Sequence, residues 1–326
     1  MTNAIDTPAC RPDRSPRLIH QGLIYGSGEE FLTATVPFCL DGLEQDDAVL
    51  AVTTPANIDL LRQQLGSAAR GVEFIAADDW YKAPGRTLGA YYRYVDERTA
   101  TGRHPRVRVI GEPVWHGRDA LETDEWTRYE SVINIAFADC PAWIICPYDA
   151  RTLPEQVVAD ARRTHPQLVT GPASDTSGHY AEPLGGVWDR QLSPPPADGK
   201  VAMRFDADLS TVRSFVASAA TTLGMSPSGM ERLVFAANEV ATNAVQHGGG
   251  AGEIAVWRTG HRVICDIKDV GSTDDGAQTG WTLGYLPPDP KQVRGHGLWA
   301  VRQLCDLTEA QTTERGTTVR LHLNVT

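Results

Sequence analysis

The chain has 326 residues, 41% of them hydrophobic and 22% charged, which is enough material for two globular domains. Its 30 basic and 41 acidic residues leave a formal net charge of -11, which argues against a nucleic-acid surface because such surfaces need a basic face. No run approaches the roughly 20 apolar residues of a membrane span, and Met1 to Arg17 lacks the apolar region of a signal peptide. We therefore expect a cytoplasmic protein that binds neither nucleic acid nor a membrane.

The N-terminal half alternates short apolar runs with helical patterns. The apolar runs predict buried strands at 48–53, 72–76, 107–110 and 142–146. The helical patterns predict helices at 55–65, 88–101 and 124–138. This alternation indicates a parallel sheet with helices on both faces, in which ligands bind beyond the carboxyl ends of the strands. Residues 111–115 and 147–149 directly follow predicted strands and are therefore expected at that rim.

Four short motifs in this half occur in a distinctive order. They are His20-x-x-x-x-Tyr25 followed by Gly-Glu-Glu-Phe31, Gly111-Glu-Pro-x-Trp115, Cys146-Pro-Tyr-Asp149, and Ala161-Arg-Arg-Thr-His-Pro166. Through these motifs the segment resembles the MEDS sensory domain, which implies a RecA-like α/β fold with a parallel sheet. No G-x-x-x-x-G-K-[ST] loop is present, so we do not expect tight triphosphate binding in this half.

Five residues of these motifs are candidates for lining a pocket that receives a small-molecule signal. They are His20, Tyr25, Glu112, Trp115 and Tyr148. The alternative is that His20 and Tyr148 lie at the edge of the core and that Glu112 pairs with an arginine. His20, Glu112 and Tyr148 are too far apart in the sequence to predict a metal site.

A Pro- and Gly-rich stretch at 171–199, which ends in Ser193-Pro-Pro-Pro196-Ala-Asp-Gly, is typical of a linker. We therefore expect a disordered tail at 1–16, a sensory domain at 17–170, this linker, and a second domain at 200–326.

The second domain begins with a strand at 201–205 and a helix at 208–223. Ser226-Pro227 then predicts the start of a second helix, because serine caps helices and proline suits their first position. Leu233, Ala237 and Ala244 lie on its predicted apolar stripe. Glu239, Asn243 and His247 repeat every four residues and therefore share a different face. Further strands are predicted at 253–257, 263–269 and 317–323.

Three later motifs suggest a phosphate- and base-binding site. Asp269-Val-Gly271 ends a strand with a carboxylate beside a glycine that permits close backbone approach. Arg294-Gly-His-Gly-Leu298 precedes a helix, so its amides lie at a positive helix end where phosphates bind. Gly316-Thr317-Thr318 opens the last strand.

Taken in order, these motifs resemble the four sequence boxes of the GHKL ATPases, which implies a GHKL (Bergerat) α/β sandwich. Asn238-Glu-x-x-x-Asn-Ala-x-x-His247 is similar to the RsbW-like anti-sigma factor kinases. The arrangement of a MEDS segment before a GHKL segment is similar to the RsbA family of anti-sigma regulators.

The resemblance implies ATP and Mg²⁺ as cofactors and assigns a role to each motif residue. Asn243 would ligate Mg²⁺, Glu239 would accept the proton of the attacking hydroxyl, and Asp269 would bind the adenine amino group. The remaining contacts to the nucleotide would come from Gly271, Arg294, Gly295, Gly297, Leu298 and Thr317. Ser272 follows Gly271 where many relatives have a second glycine, and the expected lid at 272–294 is acidic and rich in proline.

Two functions remain open. The first is a serine/threonine kinase that phosphorylates a STAS-type anti-sigma factor antagonist and sequesters a sigma factor. The second is a non-catalytic, nucleotide-gated module that switches partners without phosphoryl transfer. A histidine kinase is not expected, because none of the nine histidines has the acidic neighbour of an H-box. A homodimer is left open.

Overall fold

A computed structural model describes residues 18–184, 188, 190–271, 280–287 and 296–325. The chain forms two compact units that divide near residue 185. The expected tail at 1–16 lies outside the described residues. Within the described part of the chain, no helix has both the length and the apolar character that crossing a bilayer requires.

The first unit alternates strands and helices, as the sequence pattern predicts. In chain order its elements are β1 (Ile19–Tyr25), α1 (Gly28–Glu44), β2 (Ala48–Thr53), α2 (Pro55–Leu65), β3 (Val72–Ala76), α3 (Ala77–Trp80), α4 (Pro84–Thr99), β4 (Val107–Gly111), α5 (Ala120–Ala136), β5 (Ala142–Asp149), α6 (Glu155–Thr164), β6 (Gln167–Thr170) and β7 (Ala173–Thr176).

The seven strands form one sheet in the order β3-β2-β4-β5-β1-β6-β7. All neighbours pair in parallel except β6 and β7, which are antiparallel. All six residues of β2 are buried, as expected for a strand covered on both faces. A hydrophobic core of this unit combines Leu23 of β1 with Phe31 of α1 and Leu61 of α2.

The expectations for the residues after β5 and for the linker are wrong in detail. β5 continues to Asp149, so Pro147, Tyr148 and Asp149 belong to the strand instead of following it; Pro147 pairs with Leu23. β7 lies inside 171–199, so regular structure extends into the range expected to be a linker.

The second unit is an antiparallel sheet with helices on one face. Its elements are β8 (Val201–Phe205), α7 (Leu209–Thr222), α8 (Pro227–His247), β9 (Gly252–Thr259), β10 (Arg262–Asp269), α9 (Gly297–Leu304), β11 (Leu307–Thr313) and β12 (Gly316–Asn324). The strand order is β11-β12-β10-β9-β8. Alternate strand residues join Val216, Leu233 and Val301 of the three helices in one core, which is the two-layer arrangement of a GHKL-like sandwich.

The opposite face of this sheet carries a buried ion pair. The guanidinium of Arg320 donates to both oxygens of Asp266 at 2.6 and 2.7 Å, and it lies over the ring of Trp257. Arg320 also donates to the carbonyl oxygen of Ser193 at 2.8 Å, and the backbone N–H of Leu192 donates to Gln311 Oε1 at 3.2 Å. The C-terminal part of the expected linker is therefore hydrogen-bonded to the sheet.

Candidate functional site

The polar face of α8 presents Glu239 and Asn243 one turn apart. The helix begins as predicted, with Ser226 as N-cap accepting from the backbone N–H of Gly229 and Pro227 in the first turn. Both Glu239 and Asn243 are half-buried, and neither side chain has a hydrogen-bond partner among the described residues. Asn238, on a neighbouring face, accepts a hydrogen bond from Arg213 at 2.9 Å. Within the described part of the chain, the side chains of Glu239 and Asn243 are therefore not engaged by other residues, whereas Asn238 is.

Asp269, at the end of β10, is held in place by backbone groups. Its Oδ1 accepts the N–H of Thr317 at 2.9 Å, and the N–H of Gly271 also donates to the carboxylate. Partial burial raises the pKa of Asp269 above its ordinary value, and the two N–H groups oppose that shift. The Thr317 hydroxyl lies 3.3 Å from that of Thr312, so Thr317 reaches Asp269 through its backbone.

Glycines allow the backbone to close around Asp269. A Cβ on Gly271 would lie 2.6 Å from the carbonyl carbon of Gly248 at the end of α8. A Cβ on Gly316, whose φ is +105°, would collide with Asp269 Oδ1. Larger residues at Gly271 and Gly316 would therefore displace the backbone that orients the carboxylate.

The start of α9 lies against Glu239. A Cβ on Gly297 would lie 2.7 Å from Glu239 Oε2, so the glycine leaves room for this carboxylate. Leu298, the next residue, packs against the core beneath the helices. Arg294 and Gly295 lie outside the described residues.

The central part of the expected lid is anchored within the second unit. Trp281 and Tyr285 are buried, and the guanidinium of Arg302 lies 3.5 Å from the centre of the Tyr285 ring. Arg302 also donates to the carbonyl oxygens of Leu283 and Trp281, at 2.6 and 2.7 Å. Residues 280–287 are thereby attached to α9, while 272–279 and 288–295 lie outside the described residues.

The described residues fit a magnesium–nucleotide complex. Asn243 offers an amide oxygen that no described residue engages, and Mg²⁺ accepts oxygen ligands of this type. Asp269 is an oriented carboxylate able to accept a hydrogen bond from an exocyclic amine, and the adjacent glycines keep side chains away from it. The chemistry of these donors and the space beside them are compatible with ATP.

The five predicted pocket residues of the first unit are all buried, and two of them form a hydrogen-bonded cluster. Glu112 Oε1 accepts the hydroxyl of Tyr25 at 2.7 Å, and Oε2 accepts Asn57 Nδ2 at 2.9 Å and the hydroxyl of Thr53. Neutral donors, and not the arginine considered from the sequence, satisfy Glu112. Burial first, and then the charge of Glu112, raises the pKa of Tyr25 above its ordinary value.

His20, Trp115 and Tyr148 belong to a separate aromatic row. The rings of Trp115 and Tyr148 are 6.1 Å apart, those of Tyr148 and His165 5.6 Å, and those of His165 and His20 4.2 Å. His165 completes the row, although it was not among the predicted site residues. Its position in the fourth motif, Ala161 to Pro166, was the available signal.

Two family models match the chain, one in each unit. Residues 19–166 match the MEDS domain, the methanogen/methylotroph DcmR sensory domain, and residues 205–323 match the histidine kinase-like ATPase domain. No curated protein matches the chain. The chain therefore contains a sensory domain followed by a histidine kinase-like ATPase domain. More particularly, this combination indicates a regulatory protein that binds ATP.

Proposed function

We propose that the protein is an ATP-dependent anti-sigma regulatory factor that acts as a serine/threonine kinase. Its substrate is a STAS-type antagonist, and its second partner is a sigma factor that it sequesters. Phosphorylation of the antagonist would prevent it from releasing the sigma factor. The MEDS domain would receive the signal that biases this exchange.

The position of Glu239 carries the kinase proposal. Its carboxylate lies against Gly297 at the start of α9, has no hydrogen-bond partner among the described residues, and is one helical turn from Asn243. An unpaired carboxylate beside the helix end where phosphates bind is suitably placed to accept a proton from a hydroxyl that attacks there.

Each described residue has a defined task in this proposal. Mg-ATP, when bound, would supply the phosphoryl group that passes to the hydroxyl oxygen of the substrate, and ADP would leave. The amide oxygen of Asn243 would hold the metal, and the carboxylate of Asp269 would accept a hydrogen bond from the adenine amino group. The carboxylate of Glu239 accepts the proton of the attacking serine or threonine hydroxyl, which is general-base catalysis.

The test compares two glutamate-to-glutamine variants of the same helix. Glu239→Gln keeps the size of the side chain but removes the proton acceptor, whereas Glu231→Gln alters an exposed residue earlier on α8. In single-turnover transfer from Mg-ATP to a purified antagonist, we expect Glu239→Gln to be at least about a hundredfold slower than wild type. Glu231→Gln should transfer at the wild-type rate.

Three results would contradict the proposal: the first two would change the role given to Glu239, and the third would reject the kinase assignment. Equal transfer rates in Glu239→Gln and wild type would remove Glu239 from the reaction. Loss of nucleotide binding in Glu239→Gln would place its carboxylate among the metal ligands instead. If the wild type binds Mg-ATP and both partners but transfers no phosphate, the protein is a nucleotide-gated switch without kinase activity.

A further inference from the structure

Four buried side chains of the first unit meet between its sheet and two of its helices. They are His20 on β1, Glu130 on α5, Cys146 on β5, and His165 at the end of α6. Each offers one atom that can ligate a metal, and these four atoms all lie within 4.8 Å of one another. None of the four residues belongs to the nucleotide site, and none is more than 3% exposed.

The pairing of β1 with β5 brings two of these side chains together. Gly22 lies opposite Cys146, so His20, two residues before Gly22, projects from the same face of the sheet as Cys146. The Sγ of Cys146, a free thiol, is 3.4 Å from His20 Nε2. A Cβ on Gly22 would lie 3.1 Å from His165 Cγ, so the glycine makes room for the second imidazole.

The carboxylate of Glu130 lacks the partners that a buried charge requires. Neither oxygen accepts a hydrogen bond from a described residue, and Glu130 is 1% exposed. The Nε2 atoms of His165 and His20 are 3.5 and 3.7 Å from Oε2, which is longer than a hydrogen bond. Because a buried carboxylate without hydrogen bonds is strongly unfavourable, this arrangement favours a positive partner beside Glu130.

The spacing of the four atoms matches a tetrahedral metal centre. Zinc bonds of about 2.0 Å to nitrogen and oxygen and about 2.3 Å to sulfur separate neighbouring ligand atoms by about 3.3 to 3.5 Å. Three of the six separations between the ligand atoms are 3.4, 3.5 and 3.7 Å, and the other three do not exceed 4.8 Å. One ion at the centre would draw the side chains together by less than about 1 Å.

Hydrogen bonds orient both imidazoles so that Nε2 faces the centre. Nδ1 of His20 lies 3.0 Å from Asn134 Oδ1, and Asn134 Nδ2 donates to the carbonyl oxygens of Ser131 and Thr164. Nδ1 of His165 lies 2.8 Å from the carbonyl oxygen of Ala161. With Nδ1 as the donor in both rings, each Nε2 presents its lone pair, as metal-binding histidines usually do.

We propose that His20, Glu130, Cys146 and His165 bind one Zn²⁺ ion. Two neutral imidazoles, a thiolate and a carboxylate neutralise the 2+ charge, which suits a site without solvent. On binding, a Zn–S bond replaces the S–H bond of Cys146, the proton passes to solvent, and no electron is transferred. Because four protein ligands leave no open position, the site is structural: it ties β1, β5, α5 and the end of α6 together.

The test uses the full-length protein, first stripped of metal with a chelator and then titrated with Zn²⁺ against a chromophoric competitor. We expect one Zn²⁺ per chain and a rise in the midpoint of thermal unfolding of about 5 °C or more that Mg²⁺ does not reproduce. Co²⁺ should give the intense visible bands of a tetrahedral centre together with a thiolate-to-metal charge-transfer band.

Matched variants assign the ligands. Cys146→Ser should lose the charge-transfer band, and His165→Gln should lose tight, equimolar binding. Cys39→Ser, at another buried free thiol of the same unit, and His104→Gln, at a histidine outside the cluster, should bind as wild type does. A wild type that binds no equimolar Zn²⁺ would overturn the proposal without any variant. The proposal would also be overturned if Cys146→Ser and His165→Gln both bound Zn²⁺ as the wild type does, or if both kept the wild-type Co²⁺ spectrum.

Discussion

At the scale of single residues, Asp269 shows how the backbone prepares a side chain for recognition. The N–H groups of Thr317 and Gly271 orient the carboxylate, and Gly316 is the residue that permits this approach. The motif Asp-x-Gly predicted a carboxylate at the end of a strand. It could not predict the contribution of Thr317, which is 48 residues away in the sequence.

Asp269→Asn tests whether this carboxylate recognises adenine by accepting a hydrogen bond from its amino group. The amide keeps the shape but presents a donor or a weaker acceptor to the adenine amino group, so ATP affinity should fall by about tenfold or more. Guanine carries an oxygen where adenine carries its amino group. The ratio of the affinities for ATP and GTP should therefore also decrease in the variant. Calorimetric titration with both nucleotides measures this, and an unchanged preference would refute the role of Asp269.

Because the pKa of Asp269 is raised, a decrease in pH should weaken adenine-nucleotide binding and, at the same time, increase the stability of the folded protein. Protonation removes the acceptor, so adenine-nucleotide affinity should decrease as the pH falls through the raised pKa. The folded state holds this proton more tightly than the unfolded state, so the contribution of Asp269 to stability should increase over the same range. Asp269→Asn has no carboxylate to protonate, so its affinity for ATP should not fall at acidic pH in this way. If the affinity of Asp269→Asn falls with pH as that of the wild type does, Asp269 is not the group responsible.

Glu112 was predicted to line a pocket, but both oxygens of its carboxylate accept hydrogen bonds from neighbouring side chains. Glu112→Gln would place amide hydrogens among the donors Tyr25, Thr53 and Asn57, and it should lower the free energy of unfolding by about 2 to 4 kcal/mol. Urea denaturation measures the loss, and Glu97→Gln, at an exposed position of α4, is the control. Equal stabilities of the two variants would show that the cluster contributes little.

At the scale of elements, α8 depends on its predicted cap. Ser226→Ala removes the acceptor for the N–H of Gly229 and should destabilise the protein by about 1 kcal/mol. Ser218→Ala, on an exposed face inside α7, should be neutral or slightly stabilising because alanine favours helices. Thermal or urea unfolding of both variants tests this, and a loss of similar size in each would deny Ser226 a capping role.

Most of the elements predicted from the sequence have strong periodicity, and several of the missed elements lack it. The structure confirms the predicted bounds of β2, α2, β3 and β8. Apolar runs mark the strands clearly, Thr54 directly precedes α2, and Gly71 directly precedes β3. The sequence did not predict α1, β7 or β11. α1 contains Pro37, a residue that disfavours the interior of a helix. β7 and β11 are polar strands at sheet edges, where a buried apolar pattern is not required. α4 begins at Pro84, before the predicted start, because proline is tolerated in the first turn of a helix.

At the scale of the whole molecule, alternating strands and helices predicted the parallel sheet of the first unit, whereas the sandwich of the second unit was implied by the resemblance of four motifs to the GHKL boxes. What the pattern could not predict is long-range convergence. His20 and His165 are 145 positions apart, and only the pairing of β1 with β5 and the path of α6 bring their rings within 4.2 Å. Glu130 was missed as well, because it lies on a helix whose middle, from Glu125 to Ile133, is buried on every side.

The central claim is that the protein binds ATP through the polar face of α8. Isothermal titration of the full-length protein with Mg-ATP tests it most directly, using two asparagine variants of that helix. Asn243→Ala removes an amide that has no partner in the described ranges, whereas Asn238→Ala removes an amide already bound to Arg213. We expect Mg-ATP to bind to the wild type and to Asn238→Ala, and we expect Asn243→Ala to lose magnesium-dependent binding. Absence of binding to the wild type, or equal binding by both variants, would contradict it.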